Sequence, residues 1–153
     1  MPRIAADIVD AYVFRRVNAR VQFLLLRRHD ELPLGGTWQS IHAKIEPNET
    51  ALEAAERAVR VSTGIEIVDA FSADYINQFY DHESDTIILA PVFAFTAPPK
   101  PKIELSREYT DSIWCDREEA SARLLWTGQR WAIRHIEEVI GFGGDEAEFY
   151  RVR

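Results

Sequence analysis

The spacing of apolar positions changes repeatedly along the chain, and each change marks an element. Residues 7–14 (DIVDAYVF) are apolar, β-branched and aromatic, and predict a strand. Residues 20–28 (RVQFLLLRR) predict a second strand, and a short turn at Asn18 makes the two an antiparallel hairpin. Phe23 to Leu26 is apolar without alternation, as in a strand covered on both faces. A loop from His29 to Thr37 holds Pro33 and Gly35-Gly36, and Trp38 to Ile45 reads as short strand pieces. Thr50 and Glu53 have the spacing of a capping box, each side chain taking the other's free backbone N–H. The helix they open runs to Thr63, with Leu52, Ala55 and Val59 on one face and Gly64 where a left-handed cap belongs.

Residues 66–79 and 85–97 predict two strands around a turn at Asp81 to Ser84. Pro91 lacks a ladder donor, so an edge or a bulge is expected beside it. Pro98 to Pro101 reads as a stiff, extended connection, followed by a strand at 111–115 and a short helix at 117–125. A longer helix spans 126–140, with Trp131, Ile133, Ile136, Val139 and Ile140 as its expected buried positions and Trp126 also assigned to the core. The order β-β-β-α-β-β-β-α-α predicts an α/β sandwich with a mixed sheet between helical layers. A doubly wound nucleotide fold fits poorly, because no G-x-G-x-x-G follows a strand.

A chain of 153 residues predicts one domain, 1–153, with a loose acidic tail from about 143. Its 18 basic and 25 acidic side chains give a net charge of -7, which argues against a nucleic-acid-binding surface. No apolar run approaches the roughly 18 residues of a membrane span, so no membrane partner is expected. Cys115 is the single cysteine, which rules out an internal disulfide. With no apolar leader after Met1-Pro2-Arg3-Ile4, a cytoplasmic location is expected.

Trp38 to Ile65 reads WQSIHAKIEPNETALEAAERAVRVSTGI and resembles the box of the Nudix family, G-x5-E-x7-R-E-U-x-E-E-x-G-U, where U is aliphatic. Glu49, Arg57, Val59, Gly64 and Ile65 match, whereas Ala43 stands at the first glycine, and Ala58, Val61 and Ser62 stand at the three later glutamates. The stretches RRHDELPLGGTWQS, REYTDSIWCDREEA and LLWTGQRWAIRHI are similar to the dATP and dihydroneopterin triphosphate pyrophosphatase branch, extending the resemblance over about residues 7–140. The resemblance implies a Nudix-type α/β/α sandwich and a pyrophosphohydrolase acting on nucleoside triphosphates or other nucleoside diphosphate derivatives. It also implies Mg²⁺ or Mn²⁺ as cofactor and allows a homodimer.

The departures fall on that chemistry. Positions 58 and 62 share a helix face one turn apart, where paired carboxylates would converge on one hard cation. Alanine and serine leave no charge there. Glu53 and Glu56 point away from position 58 at about 100° per residue, and read as a capping residue and a solvated face. The acidic candidates that remain for metal binding and catalysis are Glu108 and Glu49, with Glu46 as a further ligand and Arg57 matching the box arginine.

Arg27 and Arg28, at the end of the second strand, are phosphate-binding candidates through bidentate contact; alternating strand faces let only one of them point at a given site. His42 is either a phosphate donor or base, or a gap-filling histidine beside Ala43. Trp38, Tyr75, Phe79 and Tyr80 either stack on a base or belong to the core. Two functions stay open. One is a metal-dependent hydrolase rebuilt around Glu108 and Glu49. The other is a catalytically inactive module, needing no cofactor, that binds a nucleotide, another phosphorylated small molecule or a protein through the same fold.

Overall fold

A computed structural model describes all residues, 1–153, as one mixed eight-stranded sheet with helices on both faces. The strands are β1 (Arg3–Ala5), β2 (Ile8–Val17), β3 (Arg20–Arg28), β4 (Trp38–Gln39), β5 (Ile41–Lys44), β6 (Ala70–Asp81), β7 (Thr86–Thr96) and β8 (Tyr109–Cys115). The helices are α1 (Ala51–Thr63), α2 (Arg117–Arg123), α3 (Thr127–Ile136) and α4 (Asp145–Glu148), with a π-helical turn at Glu137–Gly141. β7 runs parallel to β1 and β2, and the remaining pairs are antiparallel. This is the expected α/β/α sandwich with a mixed sheet.

The β2–β3 hairpin closes with Val17 opposite Arg20. Asn18 and Ala19 both take positive φ (52° and 61°), the backbone of a type I′ turn, whose twist matches the flanking strands. Thr50 and Glu53 form the predicted capping box, and Gly64 closes α1 at φ 69°, where a side chain would be strained. Opposite Pro91 the β6–β7 register slips between Ser72 and Ile76, so the bulge expected near the proline is present.

Residues of β2 and β3 alternate between two cores. Val9, Ala11, Val13, Leu24 and Leu26 pack with Ala54, Ala55, Ala58 and Val59 of α1. Tyr12, Phe14, Phe23 and Leu25 pack with Ala132, Ile133, Ile136 and Ile140. Each large apolar side chain so buried contributes on the order of 1.5–3 kcal/mol, which fixes the register that places the site residues.

Three expectations are corrected. Trp126 and Trp131 are 51% and 55% exposed rather than core. The buried stripe of α3 is instead Gln129, Ala132, Ile133 and Ile136, and Trp131 lies outside it with the Arg134 guanidinium 5.6 Å from its ring centroid. Glu56 is buried rather than solvated, because Arg153 comes to rest on it (Nη1 to Oε2, 2.7 Å). The segment expected to be loose is docked: Ser72 N–H donates to Tyr150 O and Ala70 N–H to Arg153 O, and Arg151 pairs with Asp69.

Candidate ligand site

The loop leading into α1 keeps its scaffold. Glu49 accepts from Arg57 Nε at 2.7 Å and Nη2 at 2.9 Å, and Glu49 Oε1 also accepts from the Glu46 backbone N–H at 2.9 Å. Arg57 Nη2 reaches on to Lys44 O at 2.9 Å, tying helix to loop and β5. The Arg57 hydrogen bonds, then the Glu46 N–H, hold the Glu49 carboxyl down at about 2. Two of the residues expected to act in catalysis, Glu49 and Arg57, are thereby brought together as a strut.

Glu108, the third, sits elsewhere on the same side of the sheet, just before β8. Its carboxylate is 60% exposed and 3.6 Å from Arg28 Nη1. The connection before it is held against the end of α1 by Glu104 N–H to Thr63 O and Ser106 N–H to Ser62 O. Tyr109 is buried beside Ser62 and Arg28, and burial, then the Glu108 charge, raises its pKa. Arg28 follows Leu24 and Leu26 in the strand alternation and therefore lies on the α1 face. Arg27 lies on the other face, bonded to Gly36 O and paired with Asp30 and Asp111.

A divalent cation of the Mg²⁺ or Mn²⁺ type needs several oxygen ligands, including carboxylates. Ala58 and Ser62 are buried, the first with no ligand atom and the second with only a neutral hydroxyl, while Val61 is exposed and apolar. Both oxygens of Glu49 are occupied by the strut. Nowhere do three His, Cys, Asp or Glu side chains gather into a candidate metal-holding group. The residues present do not fit such an ion.

On the opposite face, under α3, a polar cluster is buried between β2, the β4–β5 segment, β6 and the helix. Asp10 accepts from His42 Nδ1 at 2.6 Å and from Asn77 Nδ2 at 3.2 Å. With Nδ1–H given to Asp10, His42 Nε2 is left to accept from Gln129 Nε2 at 3.3 Å. The same Gln129 amide reaches Gln39 Oε1 at 2.8 Å and Ser40 Oγ at 3.3 Å. An amide has two hydrogens, so at most two of these three acceptors are well served at once. Tyr12 is buried beside Asp10, its hydroxyl has no partner, and burial, then the Asp10 charge, pushes its ionisation far up.

His42 is thus the exposed member of a buried network rather than an isolated gap filler. Trp38 packs partly buried against the core under α3, with Arg123 5.5 Å from its ring centroid. Phe79 and Tyr80 are exposed, and Tyr80 hydrogen-bonds Asp85. Asp10, Tyr12 and Asn77 belong to no motif, and Gln39, Ser40 and Gln129, though inside the stretches that carry the resemblance, escape a reading by spacing. Asp10 nevertheless carries a signal, as the lone charge inside the apolar run IVDAYVF.

Residues 6–138 match the profile of the NUDIX domain. Among curated sequences, an octanoyltransferase of Myxococcus xanthus is 31% identical over 122 residues, covering 78% of this chain. The matched part is 33% of that relative, so this chain corresponds to about a third of it. Among solved structures, a NUDIX hydrolase from Listeria monocytogenes superposes with a TM-score of 0.74 at 21% identity, covering 88% of this chain and 93% of the other. An Ap4A hydrolase of C. elegans gives 0.73 at 16% identity, with coverage of 88% and 96%. A dihydroneopterin triphosphate pyrophosphohydrolase of E. coli gives 0.71 at 20% identity, again with 88% and 96%.

Proposed function

The chain belongs to the NUDIX domain family, and from that premise we propose that it binds a nucleotide or similar phosphorylated small molecule without metal-assisted hydrolysis. Hydrolases of this family generally use divalent metal ions. The observation that carries the proposal is the state of the box acids: of its four acidic positions only Glu49 is acidic, and both its oxygens hold Arg57. The strut and capping box keep the loop and helix in place, so the surface survives where the chemistry does not. Ap4A and dihydroneopterin triphosphate, named for the structural neighbours, set the ligand class to be tried. Polar groups for such a ligand are present on both faces of the sheet, as Arg28 on one and the His42–Asp10–Asn77 set on the other.

The test is a pyrophosphate- and phosphate-release screen over nucleoside triphosphates, dihydroneopterin triphosphate and diadenosine tetraphosphate, with Mg²⁺, Mn²⁺ or EDTA. Melting shifts are recorded on the same compounds, since a ligand that binds the native state raises its melting temperature by mass action. The expected result is no turnover, and a melting shift with at least one compound that EDTA does not remove. Metal-dependent turnover that disappears in Glu108→Gln would overturn the proposal and establish a hydrolase rebuilt around Glu108.

A further inference from the structure

β7 needs cover that the helices of the chain supply only in part. Its run Ile87 to Phe95, IILAPVFAF, is apolar without alternation, the pattern of a strand covered on both faces. On the α3 face Ala90, Val92 and Ala94 are buried. On the α1 face the cover stops sooner. Phe95 is buried in that core and Phe93 packs partly buried against it, while Pro91, Leu89 and Ile87, next in the alternation, join neither core.

The register carries this bare strip across three strands. Ile87 lies between Ile4 of β1 and Tyr80 of β6, and Pro91 lies opposite Ile76. Residues paired across strands share a face, so Ile4, Ile76, Tyr80, Ile87, Leu89 and Pro91 form one apolar sheet surface. Ile4, Ile76 and Tyr80 are 67%, 55% and 56% exposed. The Tyr80 hydroxyl already donates to Asp85, so the ring is what it offers. Gln78, opposite Leu89, is the polar member of the surface, and it is uncharged.

On a chain that is 28% charged, a contiguous uncharged patch of this kind marks a contact surface, because monomers rarely leave one in water. We propose that it packs against the same surface of a second copy of this chain, sheet face on sheet face about a twofold axis. Two properties select a second copy as the occupant. A face without charge has nothing to complement a charged partner, and in an isologous contact it is complementary to itself. The missing cover is also a property of β7 itself, and the molecule present wherever β7 is present is another copy. With six apolar side chains at its centre, the contact falls at the small end of specific interfaces, roughly 600 Å² per copy, which suits a dimer of micromolar affinity. The net charge of -7, with Asp81, Glu83 and Asp85 at one end of the patch, opposes the approach of two copies. Salt screens that repulsion and leaves the apolar contact in place, so association strengthens with ionic strength.

The experiment is sedimentation velocity on the full chain from about 5 to 500 µM, at low and at high NaCl, with circular dichroism melting to establish that each variant is folded. Wild type is expected to pass from monomer to dimer with rising concentration, and to dimerise more tightly in high salt. Ile4→Asp and Ile76→Asp, on separate strands and at exposed positions, each place a carboxylate twice in a twofold contact. Each should raise the dimer dissociation constant at least about tenfold, the scale of burying an unpaired charge. Phe79→Asp is the control, because Phe79 is 46% exposed on the opposite face of the same strand, and it should leave the constant within about twofold. Wild type that stays monomeric throughout would overturn the proposal. A dimer that Ile4→Asp and Ile76→Asp leave intact, or that Phe79→Asp breaks equally, would place the contact elsewhere and overturn the assignment of this face. A dimer that loosens as salt rises would overturn an apolar, self-complementary contact.

Discussion

Gln129 is the residue whose replacement tests the buried network most sharply. It is 1% exposed, and its amide meets four residues: Nε2 reaches Gln39, Ser40 and His42, and Oε1 accepts from the Trp126 backbone N–H at the start of α3. Gln129→Leu keeps much of the volume and removes all of these bonds. Gln39 is itself buried, so its Oε1 is left without a partner, at a cost of about 1–3 kcal/mol. Losing the bond that Gln129 Oε1 accepts from the Trp126 N–H adds about 1 kcal/mol. Together the loss is about 2–4 kcal/mol, or roughly 5–12 °C in melting temperature for a domain of this size. Urea and thermal unfolding followed by circular dichroism measure it. Removing both partners strands neither, so Gln39→Leu combined with Gln129→Leu should cost less than the sum of the singles by at least about 1 kcal/mol. A Gln129→Leu protein within 0.5 kcal/mol of wild type, or strictly additive singles, would refute the view that this amide is an essential partner.

Three other outcomes follow from the same geometry. Glu49 is held at about 2, below its ordinary 4.5, so its contribution to stability is present above pH 4.5 and lost as pH falls toward 2. Glu49→Gln should thus be less stable than wild type at pH 7 and converge with it on acidification, and parallel urea-midpoint curves from pH 7 to 3 would count against the strut. Arg153→Ala removes the close partner of buried Glu56 and leaves Arg60 at 3.7 Å. With Arg153 itself mostly in water, the cost should be about 1–2 kcal/mol by urea unfolding, and Glu56→Gln in that background should recover part of it; an unchanged midpoint would show that the tail does not brace α1. Burial pushes the Cys115 thiol up to about 11, so it should resist a thiol reagent at pH 8 until the protein is unfolded, and rapid labelling of the native protein would contradict its placement.

What could be read from the sequence was what short-range chemistry decides. The hairpin at Asn18, the Thr50–Glu53 box, the Gly64 cap and the bulge opposite Pro91 each depend on a few neighbouring residues. What could not be read depends on which segments meet. Trp131 falls outside the buried stripe of α3, and that stripe contains Gln129, a polar residue at a core position because Gln39 waits opposite it. Glu56 looks solvated on a helical wheel and is buried because the last residue of the chain folds back onto it. Asp10 went unread inside an apolar strand, and its partners His42 and Asn77 come from separate strands that only the sheet register brings together.

The box itself separates into two sets of residues with different dependence on sequence. Glu49, Thr50, Glu53, Arg57 and Gly64 hold the loop and the ends of α1, each through a specific hydrogen bond or backbone angle. Ala58, Val61 and Ser62 make none of these loop and cap bonds with their side chains; Ala58 packs in the core against the sheet, Ser62 is buried and Val61 is exposed. Charge can leave the second set without disturbing the first. A single carboxylate returned to position 58 or 62 would still lack the partners needed to gather ligands around an ion. It would, however, set a negative charge on the α1 face that Arg28 shares.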